Sequence, residues 1–136
     1  MSGCWLVKSE PEEYSFKDLL REGRVIWDGV RNPQAQRYLR QMKKGDEVFY
    51  YHTGREKAVV GLAEVSREAF PDPNDPRYAV VELRPKAQFF QFVPLALFRT
   101  EPSLAEFALL RQPRLSVMPV SSEVAHWIKQ QARYPA

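Results

Sequence analysis

The stretch Val48-Phe49-Tyr50-Tyr51-His52-Thr53-Gly54-Arg55-Glu56-Lys57-Ala58-Val59-Val60-Gly61-Leu62-Ala63-Glu64-Val65 decides the fold. Val48 to His52 is an aromatic and β-branched run, Thr53 to Lys57 is a polar turn, and Ala58 to Val65 is a second apolar run. Together they predict a β-hairpin, because such side chains suit a pleated, half-buried surface. Gly61 inside the second run implies a bulge or the close approach of another backbone.

Immediately upstream the period is helical. Asn32 before Pro33 is an N-cap with a first-turn proline, and Ala35, Tyr38, Leu39 and Met42 fall at i, i+3, i+4 and i+7. A helix is expected over about 33–43, ended by Gly45, with that face inward and Gln34, Gln36, Arg37, Arg40 and Gln41 toward solvent or ligand. Further back, Cys4 to Val7 predicts a buried strand that ends at Lys8-Ser9-Glu10-Pro11, since Pro11 keeps Glu10 extended and cannot pair. Ser15-Phe16-Lys17-Asp18 resembles a capping box for a short helix stopped by Gly23, and Arg24 to Trp27 predicts a short strand.

Downstream, Phe70-Pro71-Asp72-Pro73-Asn74-Asp75-Pro76 reads as a loop. Tyr78 to Leu83 predicts a strand that continues past Pro85 as an edge through Phe92. Pro94 to Phe98 predicts one helical turn, and Ser103-Leu104-Ala105-Glu106 a capping box opening a helix to about Leu110. Arg114 to Met118 is a short strand closed by Pro119, and Ser121 or Ser122 caps a last helix with Val124, Trp127 and Ile128 on one face. With no repeat or linker in the chain, the expectation is a single α+β domain over 1–136 with five to six strands and several short helices.

Bulk properties agree with a globular domain: 44% of the 136 residues are hydrophobic and 27% charged, which excludes wholesale disorder. One cysteine, Cys4, excludes an internal disulfide and a cysteine-cluster metal site, and no leader sequence opens the chain, so a cytoplasmic location is expected. No apolar run is long enough to span a membrane. Net charge is only +3, yet Arg31, Arg37, Arg40, Lys43 and Lys44 fall between Gly29 and Gly45 with no acid among them. The rest of the chain holds fifteen basic residues against seventeen acidic ones, so all of the positive excess sits in this segment. A local basic face suits a polyanion such as nucleic acid, and it is also what a solvated helix face looks like.

Catalytic signatures are missing. His52 and His126 lie far apart without carboxylates at ligand spacing, and there is no phosphate loop, dinucleotide fingerprint or Gly-x-Ser-x-Gly elbow. Neither metal nor cofactor is expected. Attention falls instead on Trp27-Asp28-Gly29-Val30-Arg31-Asn32-Pro33, which joins an aromatic, a turn and a cation at a helix N-terminus. Trp27 reads as a core residue or as a half-exposed wall, the latter favoured by the turn that follows it. Asn32 reads equally as a plain N-cap or as a base-reading amide, since one side chain satisfies only part of both demands. His52 reads as a structural group or a pocket wall.

Trp5-Leu6-Val7-Lys8-Ser9-Glu10-Pro11, Trp27 to Asn32 with Ala35 after it, Phe49-Tyr50-Tyr51-His52, and Arg114 to Val117 before Pro119 occur in an order that resembles the EVE domain family. The resemblance covers essentially the entire chain. It implies a PUA-like fold, a mixed and strongly curved β-barrel with short peripheral helices, akin to YTH readers of methylated adenosine. It also implies a non-catalytic pocket for a flipped base, with methylated or hydroxymethylated cytosine in DNA or RNA as the proposed ligand. Carried over, Lys8 and Ser9 would line the pocket from the first strand, Trp27 would form its stacking wall, Val30, Arg31 and Asn32 its rim, and Ser116 its opposite side. Tyr50 and His52 are further candidates, and Arg37, Arg40, Lys43 and Lys44 would meet phosphates. Members often carry a tryptophan after the acidic loop where this chain has Tyr78, which leaves open the contacts that longer relatives make there.

A rival reading comes from the related ASCH domains, which include small amidohydrolases acting on acylated cytosine through a lysine, a hydroxyl and a carboxylate. Lys8, Ser9 and Glu10 supply those groups, but consecutive extended residues alternate faces, which sets Ser9 apart from the other two. A monomer is the simpler expectation, although the edge from Phe89 to Phe92 could pair with another copy or lie under the C-terminal helix.

Overall fold

Six strands form one mixed sheet in the computed structural model, which describes residues 3–135. In chain order they are β1 (Cys4–Ser9), β2 (Val25–Trp27), β3 (Glu47–His52), β4 (Ala58–Asp72), β5 (Asp75–Pro94) and β6 (Val117–Pro119), arranged β2-β5-β4-β3-β1-β6. The helices are α1 (Phe16–Glu22), α2 (Pro33–Gln41), α3 (Leu95–Phe98), α4 (Ala108–Arg111) and α5 (Ser122–Ala132). The expected hairpin is β3 and β4, joined by the polar turn and paired from Glu47 opposite Glu64 to His52 opposite Ala58. β1 runs parallel to β3, from Cys4 opposite Glu47 to Ser9 opposite His52, so the chain must cross over between them, and α1, β2 and α2 make that crossing. The architecture is the expected α+β one, with one refinement: β2 and β6 are the two ends of the sheet and do not pair with each other.

Local chemistry explains the helices around this crossing. Ser15 accepts from the Asp18 N–H at 3.1 Å while Asp18 accepts from the Ser15 N–H at 2.8 Å, a reciprocal cap, and Gly23 ends α1 with φ +82°. Asn32 caps α2 by accepting from the Ala35 N–H at 3.0 Å. Asp46, 1% exposed, closes the other end of the crossing. Its carboxylate accepts from Gly3 N, Trp5 Nε1 and Lys43 N at 2.8 to 2.9 Å, tying β1 to the exit of α2.

Gly61 stands at a register shift between β4 and β5, and its open face is filled by Phe16 of α1. A Cβ there would lie 2.7 Å from two ring carbons. The bulge and the close approach both occur, but the approaching group is a side chain and not a backbone.

Three expectations are corrected. The proline-rich segment 70–76 is strand, not loop: β4 runs to Asp72, β5 starts at Asp75, and only Pro73 and Asn74 turn between them. Proline removes a ladder donor without leaving β geometry, and the register shifts clustered from Val65 to Asp72 accommodate the missing bonds. Ser103 does not cap a helix; it lies in a 3-10 turn (Pro102–Leu104) capped by Glu101, and α4 starts after Phe107 without a side-chain cap. Gln36 does not face solvent but is 3% exposed. Its amide accepts from Ala79 N at 2.8 Å and donates to Val30 O at 2.8 Å and Ala79 O at 3.0 Å, so it offers β5 what a neighbouring strand would offer.

Candidate functional site

The unpaired ends of the sheet meet across a cleft. Lys8, Ser9 and Glu10 at the end of β1, Val25 to Trp27 of β2 with Gly29 and Val30 after it, and Ser116 just before β6 border one hollow of about 520 Å³. A sheet whose two ends line the same cavity is curled almost to closure, and the cleft is its open seam. That volume lies within the ~300–1,000 Å³ usual for small-molecule sites.

Trp27 borders this cleft, although it is only 8% exposed; it is closer to core than the half-exposed wall expected. Its indole meets the Tyr50 ring at 5.5 Å and 79°, so a fully buried phenol supports it from behind. Val30 is placed by the Gln36 bond to its carbonyl. Lys8 donates from Nζ to the Pro113 carbonyl at 2.8 Å, which holds the segment before β6 against the end of β1, and burial pulls its ammonium below the usual lysine range. Ser9 donates from Oγ to the Tyr14 carbonyl at 2.7 Å, and the Tyr50 hydroxyl donates to that same oxygen at 2.9 Å. Burial pushes Tyr50 up to about 12, so the phenol remains a neutral donor.

Four expected pocket residues lie outside the lining. Asn32 spends its carbonyl oxygen on the α2 cap. The Arg31 guanidinium sits 4.2 Å from the centre of the Tyr78 ring, directed away to the β4–β5 hairpin. Tyr50 is 0% exposed. His52 accepts at Nε2 from the Phe16 N–H at 3.0 Å, which requires the proton on Nδ1, where Glu56 Oε1 lies at 2.9 Å; it is a structural hinge between α1 and β3.

Lys8, Ser9 and Glu10 all border the cleft at the end of β1, where the side chains of Lys8 and Ser9 reach different segments, Pro113 and Tyr14. No hydrogen bond joins the three to one another among the described residues, and the proton-bearing atoms of Lys8 and Ser9 point at backbone carbonyls. The sequence reading missed Tyr14 and Pro113, which act through carbonyl oxygens that every residue carries. It also missed Thr53 and Arg114, which line the cleft without a motif of their own.

Outside the cleft, Arg37, Arg40, Lys43 and Lys44 are exposed along and beyond α2. The structure adds to them: a second hollow of about 350 Å³ joins Arg40 to Phe70 and Tyr78, where Arg67 lies 3.7 Å from the Phe70 ring centre and Arg77 5.6 Å from that of Tyr78. Basic and aromatic groups thus alternate from the α2 face onto the hairpin.

A curled six-stranded mixed sheet with a crossover through two helices, and a polar cleft at its seam, defines a PUA-like domain. An ASCH protein from Zymomonas mobilis shares this fold at 15% identity and a TM-score of 0.57, covering 94% of this chain and 97% of its own. The chain belongs to the EVE domain family, whose family model matches residues 3–131. A protein from Rhodopseudomonas palustris of known structure is 37% identical, with a TM-score of 0.94 over 98% of this chain and 95% of its own. Thymocyte nuclear protein 1 from Homo sapiens is 31% identical over 159 aligned residues that cover 90% of this chain and 71% of the relative. The crystal structure of the human THYN1 protein in complex with DNA containing 5-methylcytosine matches with a TM-score of 0.91 and 27% identity, over 99% of this chain and 100% of that one.

Proposed function

We propose that this chain is a nucleic-acid-binding domain that captures one flipped base, a C5-modified cytosine, in the seam cleft. The observation that carries this reading is that a relative with the same fold, end to end, binds DNA containing 5-methylcytosine. The cleft supplies a physical mechanism. An extruded base forfeits a few kcal/mol of stacking and pairing, and stacking on an aromatic returns about 1–3 kcal/mol of it. Trp27 would provide that stacking, a role supported by its position on the border of the cleft with Tyr50 packed against it. Lys8, Ser9 and Ser116 offer polar contacts to the base edge, and Val30 offers apolar contact. Arg31, Arg37, Arg40, Lys43 and Lys44 attract the phosphates.

The test is titration of labelled single- and double-stranded oligonucleotides carrying 5-methylcytosine, 5-hydroxymethylcytosine or plain cytosine, at two salt concentrations. Modified DNA is expected to bind roughly 5- to 150-fold more tightly, since one added methyl or hydroxymethyl contact is worth about 1–3 kcal/mol. Contacts to four phosphates of duplex DNA give a slope near −3.6, roughly, in log affinity against log salt. Trp27→Phe preserves the core better than alanine and is expected to weaken binding severalfold. Equal affinity for all three bases, or an unchanged affinity in Trp27→Phe, sinks the modified-base reading, and a salt-independent affinity sinks the basic face.

A further inference from the structure

A pocket that recognises only the C5 methyl group faces a difficulty, because thymine carries the same methyl group. 5-Methylcytosine and thymine differ at position 4, where one has an amino donor and the other a keto acceptor. Selectivity between them must come from a group of fixed hydrogen-bond polarity. Hydroxyls usually lack one, since a serine turns to donate or accept as its partner requires.

Ser9 is an exception. Its partner is the Tyr14 carbonyl oxygen at 2.7 Å, which can only accept, so the single Ser9 proton is committed there. The loop that brings Tyr14 into place is itself held: Tyr14 N and Glu13 N both donate to Glu10 O, at 2.9 and 3.0 Å. The Tyr50 hydroxyl is likewise spent on Tyr14 O. Ser9 borders the cleft, and any contact its hydroxyl makes there is therefore through a lone pair. The Ser9 carbonyl is taken as well, by the Thr53 N–H at 2.9 Å. Next to it, Lys8 uses one of its three protons on Pro113 O and keeps two. The residues that border the cleft thus include a hydroxyl that only accepts and an ammonium that only donates.

We infer that Ser9 is the residue that selects an amino-bearing pyrimidine edge over a keto one, so that the cleft takes 5-methylcytosine and rejects thymine despite their shared methyl group. The inference rests on the base-capture reading above. An amino group at position 4 donates to Ser9 Oγ, while the pyrimidine O2 or N3 accepts from Lys8. A keto oxygen at position 4 meets a lone pair instead, and is accommodated only if Ser9 rotates and abandons Tyr14 O.

The experiment uses single-stranded oligonucleotides, so that the unequal cost of opening the two base pairs does not enter. Each carries one 5-methylcytosine, one thymine or one 5-methylpyrimidin-2-one, which has neither group at position 4, in an otherwise identical sequence. The wild-type chain is expected to bind in the order amino, unsubstituted, keto, with 5-methylcytosine ahead of thymine on the order of ten- to hundredfold. In Ser9→Ala, checked for folding by its melting curve, that ratio collapses to about twofold or less, mainly through loss of 5-methylcytosine affinity. The wild-type ligand series decides the matter even if the variant folds poorly. Tight binding of 5-methylcytosine with equal binding of thymine overturns the role of Ser9 and leaves base capture standing, as does a preserved ratio in folded Ser9→Ala. No binding of any of the three overturns both.

Discussion

Gln36 does at one residue what a seventh strand would do along the sheet. Its amide exchanges hydrogen bonds with both backbone groups of Ala79 and holds the Val30 carbonyl, all with the side chain 3% exposed. Truncation strands three buried backbone groups, each worth about 1–3 kcal/mol when unpaired, partly offset by water entering the gap. Gln36→Ala is expected to lower unfolding stability by roughly 2–4 kcal/mol in urea denaturation. A loss under about 0.5 kcal/mol, the scatter of ordinary surface changes, would show that the amide is incidental. Because Val30 borders the cleft, the same variant should bind nucleic acid less tightly than its loss of stability alone explains. The chemical lesson extends to Asn32 and His52: of the two readings the sequence allows each, the structure shows the engaged one, a helix cap in one case and bonds to the Phe16 N–H and Glu56 in the other.

At the scale of elements, the contact that sets α1 on the sheet is the insertion of Phe16 where Gly61 has no side chain. Gly61→Ala places a Cβ at 2.7 Å from the ring, which overpacks a site where Phe16 is 1% exposed, at a cost of about 1–3 kcal/mol. The smaller side chain in Phe16→Leu relieves that clash, so the double variant should be more stable than the sum of the single losses predicts, by about 0.5–3 kcal/mol in a denaturation cycle. Strict additivity would mean that α1 can shift as a body. The hairpin of β3 and β4, and α2 behind its Asn32-Pro33 cap, were legible because hydrophobic period and capping chemistry are local. The strands through Pro71 and Pro76 were not, since their bulges depend on which backbone lies opposite. For the cleft, Lys8, Ser9, Trp27, Val30 and Ser116 were named from the family resemblance, and the structure brings these five together. Tyr14 and Pro113 contribute carbonyl oxygens, and no side-chain pattern announces a carbonyl.

For the whole molecule, a sheet with an open seam must be held in its curl by something other than ladder hydrogen bonds, and Glu47 is placed to help. It begins β3 and accepts from Lys86 of β5 at 2.7 Å and from Lys129 of α5 at 2.6 Å, so one carboxylate joins three elements far apart in sequence. Partial burial raises its pKa, but the two ammonium groups outweigh that effect and hold the carboxyl below its ordinary value of 4.5. The Lys86 ammonium, bonded to Glu47, is correspondingly raised. A carboxylate whose folded pKa is depressed contributes stability in full above its unfolded value and loses it as pH falls through the folded one. The clasp is therefore intact at neutral pH, begins to lose its stabilising effect as pH falls past the unfolded value of 4.5, and is lost as pH passes through the lower folded value. Asp18 and Asp75 are depressed too, by Ser15 and Arg21 and by Arg77, so acid destabilisation alone does not identify Glu47. The difference between variants does. With Lys86→Met and Lys129→Met combined, the melting temperature should fall less between pH 5 and pH 3 than in the wild type, because the variant's Glu47 has no ammonium partners to lose. Parallel melting curves for the two chains over that interval would show that the clasp contributes nothing, and that the curl is held by apolar packing of α5 against β5 alone.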